Sequence, residues 1–141
     1  MPGETSNPIA ANRKRLSAVR DALLSLHKTL IDSERQRYES AIGAIHSPNH
    51  FLQLLTTDPW FAWLHPLSQM IVAMDVVLEE KEPLTAASAE ALINQTGALL
   101  VAAENGHGFA GHYHAALQHD PDVVLAHAAT MMLIGRQKST S

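Results

Sequence analysis

Cysteine is absent from the 141 residues, which removes disulfides, thiolate nucleophiles and Cys-ligated zinc or iron–sulfur centres in one step. Aromatic residues are scarce, at 5 %, and β-branched runs are few, so a β-sheet has little to build on. Positive charge is missing over most of the chain: from Ser47 to Gly135 the only Lys or Arg is Lys81, against nine acids. No phosphate clamp of cationic side chains can be assembled there, and nucleic acid is not an expected partner. The first fifteen residues lack an apolar core of signal-peptide length, and the most apolar stretch, Met70 to Leu78, is cut by Asp75. No membrane association is therefore expected, and the expected location is cytoplasmic. A glycine-rich phosphate loop, a dinucleotide fingerprint and a Ser-His-Asp hydrolase context are missing too.

What the chain does contain points to helix. Hydrophobic residues make up 46 % and charged residues 17 %, ordinary for a domain that buries a core, and Ala, Leu, Gln and Glu abound. Four dipeptides place a capping residue before proline: Asn7-Pro8, Ser47-Pro48, Asp58-Pro59 and Asp120-Pro121. Each reads as an N-cap followed by Pro at the first helical position, and Thr85 is a fifth cap. The pattern predicts helices at Ile9–Ile45, Pro48–Leu55, Pro59–Glu80, Ala86–Ala103, Phe109–Gln118 and Pro121–Ile134. Pro66 is expected to kink or break the third of these near Ala62 to His65. The predicted fold class is all-α: a single helical-bundle domain over residues 1–141, of five or six helices, with a long first helix and a Pro-kinked central helix. Residues 1–8 and 136–141 are expected to be disordered tails.

The first helix carries the strongest periodicity. Leu16, Val19, Leu23, Leu26 and Leu30 step by three and four, a seam suited to neighbouring helices or to a second copy. A rod of this length measures on the order of 55 Å at ~1.5 Å per residue, whereas a compact chain of this size has a radius of gyration of ~14 Å. It must overhang, bend or pair. A homodimer is therefore expected, with Leu16, Val19, Leu23, Leu26 and Leu30 and the aromatic residues Trp60 and Trp63 as interface candidates. The cations of this segment, interspersed with acids, read as a solvated face.

The polar candidates are few. Asp75 sits in the most apolar helix, where an unpaired carboxylate is costly. The expected partners are Arg37 or Tyr38, at the polar break in the seam, with Glu34 on the far side of Arg37 and His65 or His127 as alternatives. With Tyr113 these seven residues are the candidates for a polar pocket. Of nine histidines, His46 and His50 have a chelating separation but straddle a helix boundary, and His112 and His114 fall on opposite sides of a helix. No metal and no cofactor is expected.

The run Asp58-Pro59-Trp60-Phe61-Ala62-Trp63-Leu64, followed by Pro66-Leu67-Ser68 and Asp75, resembles a motif of a group of small bacterial helical proteins. Similar segments of that group correspond to Tyr38-Glu39, Tyr113 to Gln118 and Pro121 to His127. The resemblance covers most of the chain after Leu23 and implies a helical fold. The group has no assigned activity, so no catalytic role carries over. His65 stands where the group commonly has Arg, which withdraws any anion site built on that position. The expected function is a non-enzymatic, self-associating module that binds a protein partner or a small polar ligand. The alternative is an enzyme using Asp75 with Tyr38 or a histidine as an acid–base pair in a bundle-core pocket, with or without a metal ion.

Overall fold

Capping chemistry and proline placement divide the chain into helices. The computed structural model describes residues 8–102 and 106–139. Among these, six α-helices follow one another: α1 (Pro8–Ala41), α2 (Pro48–Thr57), α3 (His65–Glu79), α4 (Ala86–Leu99), α5 (Phe109–His119) and α6 (Pro121–Ser139). No strand occurs among the described residues. Ser47 Oγ accepts the His50 N–H at 3.0 Å and Thr85 Oγ1 the Ser88 N–H at 3.1 Å, capping α2 and α4 as their sequences require. Asp120 Oδ1 accepts the Asp122 N–H at 2.9 Å before α6. Asn7 lies outside the described residues, as do residues 1–7 and 140–141 of the expected tails; α6 continues as helix through Ser139.

Asp58 starts a turn rather than a helix. Its Oδ1 accepts the Trp60 N–H at 2.8 Å, and the chain passes through a 3₁₀ turn at Ala62–Leu64 before α3 begins. The break falls where Pro66 requires it, and Pro66 itself sits in the first turn of α3, where its missing N–H leaves no bond unmade. The first helix stops at Ala41, four residues short of the expected Ile45, because the Ile42 and Gly43 N–H groups both turn back to the Tyr38 carbonyl and the Glu39 carboxylate accepts the Ile45 N–H at 3.1 Å.

The seam of α1 is the centre of the core. Leu16, Val19, Leu23, Leu26 and Leu30 are each 0 % exposed, covered by α3, α4 and α6. Leu67, Ile71 and Met74 of α3, Ile93 of α4, Tyr113 of α5 and Val123 and Ile134 of α6 complete this cluster. The last turns of α1 are met by Trp60 and Phe61, whose rings pack on Tyr38. A helix of 34 residues is thus covered along its length by its own chain. This corrects the expected interface: the five seam residues and Trp63, 8 % exposed, are buried within one chain and have no face to offer a second copy.

Arginines also stitch α1 to its neighbours. Arg13 donates to the carbonyls of Leu78, Glu80 and Glu82 at 2.7, 2.6 and 2.8 Å, and Arg15 to Glu90 at 2.8 Å and the Leu133 carbonyl at 2.9 Å. The expectation of a solvated cationic face is corrected for these residues. No single helix among the described residues is long and apolar enough to cross a membrane; α2 and the segment Ala62–Glu79 reach that apolarity together but meet at 73°.

Candidate functional site

The seven polar candidates do not converge. Asp75 is held by Arg20, which donates from Nε to Oδ1 at 2.8 Å and from Nη2 to Oδ2 at 3.2 Å. The carboxylate side chain is 34 % exposed, so the expected burial and the expected partners, Arg37 and Tyr38, are both corrected. The register of α1 against α3 places Arg20, not the polar break further along, beside Asp75. This two-point pair raises the Arg20 guanidinium above its ordinary range, chiefly through the bond to Asp75. Arg37 instead donates from Nη1 to Oε1 of Glu34 at 3.1 Å within α1, and the Glu34 side chain is 5 % exposed. Tyr38 stands edge-on to Trp60, ring centroids 5.6 Å apart at 90°. His65 is exposed at the start of α3. No hydrogen bond or ring contact joins Asp75, Tyr38 and a histidine among the described residues, so the acid–base arrangement centred on Asp75 is not assembled.

The remaining two candidates meet each other. Tyr113 Oη lies 2.7 Å from His127 Nδ1, and the Tyr113 side chain is fully buried. Desolvation pushes the phenol above its ordinary range and the imidazole below its own. Both groups are therefore neutral near pH 7, the phenol donating to Nδ1 and the ring proton residing on Nε2. Shifts in these directions oppose proton transfer between the two, and the bond serves to fix α5 against α6. Around it Phe109 stacks on Tyr113 and His112 on Trp63, and Trp63 lies tilted against Phe109, with centroids 5.2 to 5.4 Å apart. The indole N–H groups of Trp60 and Trp63 are buried and find no acceptor among the described residues.

Open space lies instead at the other side of the α1 C-terminal end. A groove of about 440 Å³ is lined by Arg35, Ile45, His46, Ser47, Pro48, Phe51, Leu52 and Leu55. It exists because α2 is apolar yet peripheral: none of its ten residues is fully buried, and Phe51 alone among its rings reaches the core, edge-on to Phe61 at 5.7 Å. Arg35 lies over Phe51, its guanidinium carbon 4.8 Å from the ring centroid. His46 and His50 stack at 5.6 Å and 10°, and the His46 N–H donates to His50 Nδ1 at 3.2 Å. Ile42 and Leu52, 64 % and 59 % exposed, extend the apolar surface beside it. A second, shallower depression of about 400 Å³ is bordered by Gln36, Arg37, Ser40, Ala41 and Trp60.

Of the groove residues only His46 drew notice in the sequence as a chemical candidate, for its spacing to His50. Phe51, Leu52 and Leu55 have the spacing of an ordinary core-facing stripe, and only the way α2 docks reveals that the stripe is incompletely covered. The pair His46 and His50, noticed for its spacing, stacks at 5.6 Å with the His46 N–H on His50 Nδ1. No group of three or more His, Asp or Glu side chains able to hold a metal ion occurs among the described residues. No family model matches the chain, and no curated protein or solved structure matches it.

Proposed function

We propose that this protein is a non-enzymatic small-ligand-binding module and that the groove between α1 and α2 is its binding site. One observation carries the reading: an apolar helix with no fully buried residue lies beside an open groove of about 440 Å³, within the ~300–1,000 Å³ typical of small-molecule sites. The polar groups that would otherwise argue for catalysis are engaged with one another, Arg20 with Asp75, Arg37 with Glu34 and Tyr113 with His127. Self-association, as part of the same proposal, would use the exposed Leu125 and Met132 of α6, 69 % and 70 % accessible, rather than the α1 seam.

Heteronuclear NMR with 1-octanol as an apolar probe tests the site. Amide shifts are expected to cluster at Ile45, Phe51, Leu52 and Leu55 and to be lost in Leu52→Glu, a change at an exposed position that leaves the fold intact. Shifts clustered at Tyr113 and His127, or none at millimolar probe, would overturn the assignment.

A further inference from the structure

We infer that the ligand of this groove is a small amphiphilic carboxylate, its hydrocarbon part lying on Phe51, Leu52 and Leu55 and its carboxylate held by Arg35. The inference rests on the reading of the groove as the binding site and adds the chemistry of the occupant.

The sign of the charge is the first argument. The chain carries a net charge of −4, yet the groove lining contains Arg35 and His46 and no Asp or Glu. An anion entering here meets the Arg35 guanidinium, whose ion-pair partner Glu39, 3.8 Å away, is not part of the lining, and the lining itself favours an anion over a cation of the same shape.

The second argument is that Arg35 is held ready and not used up. Arg13, Arg15 and Arg20 each make two or more hydrogen bonds to other helices or to the segment after α3. The nearest carboxylate to Arg35 is Glu39 at 3.8 Å, beyond hydrogen-bonding distance, and that carboxylate is already engaged by the Ile45 N–H. The guanidinium carbon lies 4.8 Å from the Phe51 ring centroid, a cation–π position that restrains the side chain without using its N–H fork. A fork of this kind matches the two oxygens of a carboxylate.

The third argument limits the rest of the ligand. Ile45, Pro48, Phe51, Leu52 and Leu55 supply the remainder of the wall apart from Ser47, so beyond its head the ligand is hydrocarbon. One guanidinium, the single formal positive charge of the lining, suits a monoanion better than a phosphate ester of two charges.

Titration of the full chain with octanoate and with 1-octanol, below their aggregation concentrations and followed by amide shifts, separates the levels of the proposal. Octanoate is expected to bind about tenfold more tightly than 1-octanol, the scale of one charge-assisted interaction, and to weaken as salt is raised. Arg35→Gln should abolish that preference while 1-octanol still moves the same groove amides, and Arg35→Lys should retain part of it. Equal binding of the two probes in the groove would overturn the carboxylate and leave the site standing. Probes that shift no groove amide would overturn both, and octanoate binding unchanged in Arg35→Gln would assign the head group to another residue.

Discussion

Arg13 collects three carbonyls where α3 ends, and those oxygens belong to a region with no following turn to satisfy them. A planar guanidinium can bridge several acceptors at once, which a lysine ammonium does less well. Nothing in the spacing of residues 13 to 20 reveals this, because the partners lie 55 to 119 positions away and are chosen by helix register. Asp75 shows the same boundary of legibility: its need for a partner is written in the apolar residues around it, but the partner's identity is not. Tyr113 and His127 were nominated singly, and only the docking of α5 on α6 joins them. Their neutrality has a pH consequence. Burial lowers the imidazoles of His127 and His27 below the ordinary value of 6.5. Above that pH both are neutral whether folded or unfolded and add no pH dependence. Below it the unfolded chain takes up protons first, so stability falls with acidification from about 6.5 down through the folded pKa values. Urea titrations are expected to give a flat unfolding free energy between about pH 8 and 7 and a decline towards about pH 5, with His27→Gln/His127→Gln removing most of the slope. Tyr113→Phe should cost ~1 kcal/mol at neutral pH by withdrawing the donor from Nδ1. A slope unchanged in the double variant would place the titration elsewhere.

At the level of whole helices, much was legible because the determinants are local. Ser47 and Thr85 cap α2 and α4 where their sequences place them, and Pro66 ends one element and opens the next. The α1 seam was legible as a seam but not as to its partner, since the same 3-and-4 spacing serves an intramolecular core and a coiled coil. Complete burial of its four leucines and one valine in one chain decides the matter, and it changes what a substitution does. Leu23→Ala is expected to destabilise by about 2–5 kcal/mol, the range for deleting most of a buried leucine, by an amount that is the same at low and high protein concentration. A loss that shrank as the protein was concentrated would restore the seam to an interface. Glycine matters at one helical position: a Cβ on Gly111 of α5 would strike the Gly106 carbonyl, which ties the entry of α5 to the preceding loop.

Across the whole molecule, burial is uneven. Helix α1 contributes five buried core residues and α3 three, while α2 contributes no fully buried residue. Hydrogen exchange is therefore expected to be fastest in the amides of α2 and slowest at Leu23 to Leu30, since opening α2 exposes little that the folded state had removed from water. Protection in α2 equal to that of the α1 seam would mean that the helix is held by more than the contacts described. The groove exists because of this imbalance, which no stripe of apolar residues could announce. The turn joining α2 to the bundle has a further property, an optical one. Both tryptophans of the chain, Trp60 and Trp63, fall within four residues of it, their N–H groups shielded and without an acceptor among the described residues. Indole emission shifts with the polarity around the ring, so the ultraviolet light leaving the folded protein describes one short turn. Trp60 reports on the end of α1 through Tyr38, and Trp63 on α5 through Phe109 and His112.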